Sequence, residues 1–228
     1  ENVPHLMSRE GDRKRLISEV YRLVTGEFAD TATINDIGAM ITFAKNMMLS
    51  DEEIEALSGS GYDTLRIYRE YNLALSSRSL MDYDDQMVTA LDILRKYPDI
   101  LAYFNGRFRY ICVDEAQDTS KIQHEIIRLL AAKSGNIFMV GDEDQSIYAF
   151  RGAYPEALID FEKTYKNAQI LFMEQNFRST PEIIGVADSF VKCNRFRREK
   201  TIRAVNKSGI PVRIVRCERR NVQYDFLC

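Results

Sequence analysis

The chain has 228 residues, 45% hydrophobic and 29% charged, and its 31 basic and 34 acidic residues leave a net charge of −3. This supports a packed core of one large domain or parts of two and excludes a wholly basic, histone-like binder, although a local basic groove can still meet phosphates. No apolar run approaches a membrane span, the first residues carry no signal-peptide pattern, and Cys112, Cys193, Cys217 and Cys228 form no CxxC pair, which argues against a zinc site or disulfide scaffold and for a reducing cytoplasm.

The first third reads as helices. Leu16, Ile17, Val20, Leu23 and Val24 line one helical face. Thr33 and Asp36 form a capping pair ahead of Ile37, Met40, Ile41 and Ala44, and Ser50 with Glu53 repeats the pattern before Ile54 and Leu57. After the Ser58–Gly61 break, Leu65, Tyr68 and Leu75 mark a further helix. Residues 1–80 are therefore expected to form an all-helical accessory region. Asp82-Tyr83-Asp84-Asp85 then precedes an apolar-periodic run through Met87, Leu91 and Leu94 that ends at Pro98. Acids there cap a helix N-terminus, where the macrodipole favours anions.

Downstream, strands and helices alternate. Phe108 to Val113 predicts a buried central strand, with Cys112 packing as a small apolar residue. Ile122, Ile126, Leu129 and Leu130 describe an amphipathic helix, and Ile137–Val140 a second strand. Ile170–Met173 predicts a third strand, Thr180-Pro181 opens a helix with a buried stripe through Ile183, Ile184, Ala187, Phe190 and Val191, and Val212–Val215 reads as a last strand. This order implies an α/β fold with a mostly parallel sheet, where ligands gather beyond the carboxyl ends of the strands. The first strand end carries Asp114, Glu115, Gln117 and Asp118, the second runs from Gly141 to Ala153, and the third offers Gln175 to Thr180. All three are expected to converge. The basic run Arg195, Arg197, Arg198, Lys200 and Arg203 fits either a solvated face or a phosphate track.

Three strings, VDEAQD (113–118), VGDEDQSIYAFRGA (140–153) and EQNFRST (174–180), occur in this order. They resemble Walker B and the next two helicase motifs of the UvrD/Rep/PcrA-like superfamily 1 DNA helicases. LMDYDD (80–85) is similar to the family's segment before Walker B, and the helical first third looks like its inserted 1B domain. The resemblance implies a RecA-like P-loop NTPase core, incomplete here, with 1–80 as the accessory region, 81–168 as the C-terminal part of the first RecA-like domain and 169–228 as the start of the second. It implies ATP and Mg²⁺ as cofactors, with Asp114 as the metal carboxylate, Glu115 as the base for the attacking water, Gln145 on the γ-phosphate, Arg178 as an arginine finger and Phe177 against adenine. Tyr148, Phe150 and Arg151 are the implied DNA-binding residues, Phe150 standing where the family often has tryptophan. For Phe150 and Phe177 ordinary core packing is the alternative.

The implied activity is that of a cytoplasmic 3′–5′ helicase acting on single-stranded DNA and DNA junctions. A helicase–nuclease subunit and a non-catalytic RecA-like module are the alternatives. No Gly-x-x-x-x-Gly-Lys-Ser/Thr phosphate loop occurs in the 228 residues, so the chain is expected to be an internal fragment of a larger helicase that binds ATP weakly and does not hydrolyse it.

Overall fold

A computed structural model describes residues 3–57, 61–148, 152–195 and 197–227. It divides into two compact units, Glu1–Thr164 and Tyr165–Cys228, each described by itself. In the first unit β1 (His5–Leu6) is followed by α1 (Glu10–Thr25), α2 (Thr31–Met47), α3 (Asp51–Ala56) and α4 (Thr64–Ser77). Next come β2 (Leu80–Met81), α5 (Tyr83–Lys96), α6 (Pro98–Arg107), β3 (Ile111–Val113), α7 (Lys121–Ala131), β4 (Ile137–Met139), α8 (Glu156–Ile159) and α9 (Phe161–Thr164). The second unit holds β5 (Gln175–Asn176), α10 (Pro181–Val191), β6 (Arg203–Ala204) and α11 (Arg220–Leu227).

The helical core is the periodicity made solid. Leu16, Ile17 and Val20 of α1 pack with Ile37 and Ile41 of α2 and Ile67, Tyr71 and Leu75 of α4, all buried. Burying one such aliphatic side chain contributes about 1.5–3 kcal/mol. The expected start of α2 is corrected: Asp30, not Thr33, is the N-cap, and its carboxylate accepts from Thr33 N at 2.7 Å. Asp outcompetes because it already sits in extended backbone one residue before the first turn. The capping box at Ser50 and Glu53 forms as expected. The first eighty residues are not wholly helical, since β1 pairs in parallel with β2, His5 opposite Leu80 and Leu6 opposite Met81.

Asp82 caps α5 in a box with Asp85, and it does more than cap. Lys45 of α2 reaches it with Nζ 2.9 Å from Asp82 Oδ2 and 2.6 Å from Asp85 Oδ1, while Tyr71 Oη donates to Asp82 Oδ2 at 3.0 Å. Lys45 and Asp82 are almost fully buried. Burial pushes the Asp82 carboxyl up, but the Lys45 ammonium and the hydrogen bonds to it outweigh burial and hold it below its ordinary value. Pro98 ends the apolar run as expected and opens α6 at its first position.

The three strand pairs among the described residues are parallel, but they are separate pairs rather than one sheet. In β3–β4, Ile111 faces Ile137, Cys112 faces Phe138 and Val113 faces Met139. Cys112 and Phe138 are exposed while their neighbours are half-buried, so the predicted burial of Cys112 is wrong: alternation places it on the open face of a two-stranded sheet. The predicted strands at 170–173 and 212–215 do not form; no partner strand lies beside them among the described residues, and Leu171, Met173 and Ile214 are exposed. Pairing falls instead to β5 and β6. Of the stripe expected on α10 only Ile184 is buried; Ile183 and Phe190 face solvent. No described helix is long and apolar enough to cross a membrane.

Removing the Lys45 ammonium strands a buried carboxylate, which typically costs about 3–5 kcal/mol. Lys45→Ala is expected to lower unfolding free energy by that order in urea denaturation, and an unchanged midpoint would show that the pair is dispensable.

Candidate nucleotide site

The register of β3 and β4 sets the site. The ladder runs past the strands: Val140 N donates to Val113 O at 2.8 Å, and Ala116 N donates to Val140 O at 2.9 Å. Between those two bonds lie Asp114 and Glu115, both exposed. Glu115 adopts a left-handed backbone, φ 48° and ψ 42°, which costs a non-glycine residue about 1–2 kcal/mol. The bend turns the chain from β3 into the 3₁₀ turn Ala116–Asp118. Strain of this sort persists where the surroundings over-determine it, and sites of function are where it collects.

Gln117 supplies that determination. Its side chain is 2% exposed, its Nε2 donates to Glu115 Oε2 at 2.8 Å, and its Oε1 accepts from Asp142 N at 3.0 Å. Ser146 Oγ donates to its carbonyl at 3.1 Å. Asp142 in turn accepts from Gln145 Nε2 at 2.8 Å and caps the 3₁₀ turn Glu143–Gln145 through Asp144 N at 3.2 Å. Glu115, Gln117, Asp142 and Gln145 thus form one hydrogen-bonded chain across two strand ends. A Cβ on Gly141 would stand 2.7 Å from Gln117 Oε1 and 2.7 Å from Leu158 Cδ1, so only glycine lets the strand ends approach this closely.

Asp114 Oδ1 accepts the Glu115 amide at 2.9 Å, and the carboxylate stays exposed. One open carboxylate with room for water suits Mg²⁺, which keeps much of its hydration shell. No group of three His, Cys, Asp or Glu side chains able to hold a metal occurs among the described residues, so water and phosphate oxygens would complete such a shell.

Farther along the second strand-end segment, Tyr148 is exposed and its carbonyl accepts from Ala153 N at 3.3 Å. Phe150 and Arg151 lie outside the described residues. Gly152, at φ +82°, presses on α2: a Cβ there would fall 2.7 Å from Asn46 Cβ. Phe177 and Arg178 are exposed in the second unit, after β5, where Asn176 Oδ1 accepts from Arg178 N at 2.9 Å and Ser179 N at 2.8 Å. The structure brings together the first two strand-end kits, Asp114 and Glu115 with Gln145. The third kit belongs to the other unit. Gln117 and Asp142 belong to the predicted strand-end segments, but the sequence assigns them no role; an amide set among acids directly after a strand is the signal that marks Gln117.

The family model for the UvrD/REP helicase N-terminal domain matches residues 5–166. The chain belongs to the UvrD/REP helicase family. It is similar to the ATP-dependent DNA helicase PcrA of Bacillus subtilis strain 168, 36% identical over 174 residues, which are 75% of this chain and 24% of the relative. PcrA of Staphylococcus aureus strain Mu50 is 38% identical over 160 residues, 70% of this chain and 22% of the relative. PcrA of Staphylococcus epidermidis strain RP62A is 37% identical over 175 residues, 76% and 24%. The chain spans about a quarter of the length of these relatives. Membership of the UvrD/REP family implies a RecA-like helicase fold, and the described strands form short parallel pairs among helices rather than a complete core sheet.

The turn that follows Asp114 and Glu115 has a titratable prop in His124. Thr119 Oγ1 donates to Ala116 O at 2.6 Å and lies 2.6 Å from His124 Nε2, so the ring donates through Nε2 in its neutral form. Burial pushes the His124 pKa below its ordinary 6.5. The unfolded chain then takes up the proton first, and this part of the stability is present above pH 6.5 and lost as pH falls through the lower folded value. Thermal unfolding is expected to drop in Tm below pH 6.5 in the native chain and to lose that part of its slope in His124→Gln; equal slopes would rule His124 out.

Proposed function

We propose that this chain supplies the γ-phosphate side of the ATPase site of a DNA helicase that couples hydrolysis to 3′–5′ movement on single-stranded DNA and to duplex unwinding. The observation that carries the reading is the bonded chain from Glu115 through Gln117 and Asp142 to Gln145, which fixes an acid and an amide at adjacent strand ends. Asp114 would hold Mg²⁺ through water, and that ion, bound with the nucleotide, neutralises phosphate charge. Glu115 orients the attacking water and takes its proton. Gln145 contacts the γ-phosphate by exchanging its bond to Asp142. Phosphoryl transfer depends chiefly on positioning and charge stabilisation, which is what these side chains offer.

Phe177 stacks on adenine and Arg178 reaches the phosphates as an arginine finger, a device worth about 10³–10⁵ in rate. Their exposure after a clamped turn supports both roles. Tyr148, Phe150 and Arg151 meet single-stranded DNA, where stacking contributes about 1–3 kcal/mol per base and tolerates any sequence. In this reading the helical first part is the 1B-like region, residues 81–168 close the first RecA-like domain and residues 169–228 open the second. Single-stranded DNA and DNA junctions are the partners of the intact motor, which works in the cytoplasm.

The 228 residues contain no phosphate loop, so the α- and β-phosphates lack their cradle. The purified chain is expected to release no phosphate from ATP above background, with or without single-stranded DNA; DNA-stimulated release would overturn this. In a helicase that joins this chain to a phosphate loop, Glu115→Gln should lower kcat by about 10²–10⁴ while nucleotide binding persists. A normal kcat there would remove Glu115 as the base.

A further inference from the structure

We propose that residues 201–209 form a strap that fixes the Phe177–Ser179 turn, with Asn206 as a positioning residue for Arg178. The strap follows the motif residue by residue. Thr201 N donates to Glu174 Oε1 at 2.8 Å and Arg203 N to Glu174 O at 2.7 Å. Val205 N then donates to Asn176 O at 2.9 Å, where β5 and β6 end. Asn206 Nδ2 donates to Phe177 O at 3.0 Å and faces Ser179 O at 3.5 Å. Farther on, Gly209 N donates to Glu182 Oε2 at 3.0 Å and Ser208 Oγ donates to Glu182 Oε1.

Two features separate this from ordinary loop packing. The strap buries little: Val205 is exposed and Ile202 and Ala204 are only half-buried, so direction rather than apolar burial is what it contributes. Its amide and carboxylate contacts also meet those of Asn176 from the other side. Asn176 Oδ1 takes the amides of Arg178 and Ser179, and Asn206 takes the carbonyls of Phe177 and Ser179. The peptide group before Arg178 is thereby held at both its C=O and N–H ends, and the one after it at its N–H. Where Gly209 crosses, a Cβ would lie 2.9 Å from Thr180 Cγ2, so the strap closes down on the start of α10. A long arginine side chain inherits the orientation of its Cα. A shift of about 1 Å at a reacting group costs about 10²-fold in rate.

The role rests on the reading of Arg178 as the arginine finger, and the experiment separates the two. Asn206→Asp keeps shape but loses both donors; Asn206→Ala loses them without adding charge. In the 228-residue chain, both variants are expected to speed hydrogen exchange of the Arg178 and Ser179 amides about tenfold at unchanged Tm. Protection equal to the native chain in both, or faster exchange in Asn206→Asp alone, would overturn the donor role. In a helicase that joins the chain to a phosphate loop, both variants should lower kcat by about tenfold to 10²-fold with KM for ATP unchanged. Arg178→Ala is assayed beside them. If it leaves turnover intact, the arginine reading fails; if it slows turnover and the Asn206 variants do not, the strap has no positioning role.

Discussion

The amide of Gln117 is the contact on which the arrangement of the first unit's site depends. The Gln117 side chain bonds both strand ends, donating to Glu115 and accepting from the backbone of Asp142. Parallel pairing alone sets β3 beside β4, but a backbone ladder says nothing about where side chains beyond it point. Glu115 leaves the ladder in a left-handed conformation, and without a partner its carboxylate would be free to swing. Gly141 makes the contact possible by leaving no Cβ between the two ends. Acid, amide and glycine are therefore a single solution to a geometric problem.

A second buried polar contact serves the helical side. Lys45 links α2 to the cap of α5 through Asp82 and Asp85, and the next residue, Asn46, donates to Asp84 Oδ1 at 2.7 Å. Asn46 is also the residue on which Gly152 presses. Gln145 is thus held by the strand-end network, and Gly152 abuts the α2–α5 junction. Apolar burial would hold the helices together in many rotations about their axes. Directional bonds between charged groups select one rotation, at the expense of desolvating them.

What the sequence reveals follows from how local each interaction is. Helix faces at Leu16, Ile41 and Leu91, the box at Ser50 and the acids of Asp82 to Asp85 are written within a few residues, and the structure contains them. Strand ends at Val113 and Met139 are legible too, because an apolar run stopping at Asp-Glu or Gly-Asp marks its own limit. Strand existence at 170–173 and 212–215 is not local. β-propensity states only that a segment fits a sheet, and pairing needs a neighbour that propensity does not name. The same reason hides Gln117 and Asn206. Their partners lie 25 and 29 residues away, and an amide carries no charge or periodicity to announce it.

Neutral side-chain amides hold both the Glu115 turn and the Phe177–Ser179 turn, and under the proposed roles the chemistry favours that choice. An amide offers donor and acceptor together, so Gln117 can satisfy a carboxylate on one side and an N–H on the other. An arginine or lysine in its place would also hold Glu115, but an opposite charge at that range lowers a carboxyl pKa and blunts its capacity to take a proton. Near Arg178, under its proposed role as an arginine finger, a carboxylate at position 206 would add negative charge close to a residue meant for phosphate, and would repel the Phe177 carbonyl that Asn206 holds. Amides fix the backbone and the acid while leaving the local potential to the groups that act. In the helical core an ion pair does the holding instead, between Lys45 and the Asp82 and Asp85 carboxylates.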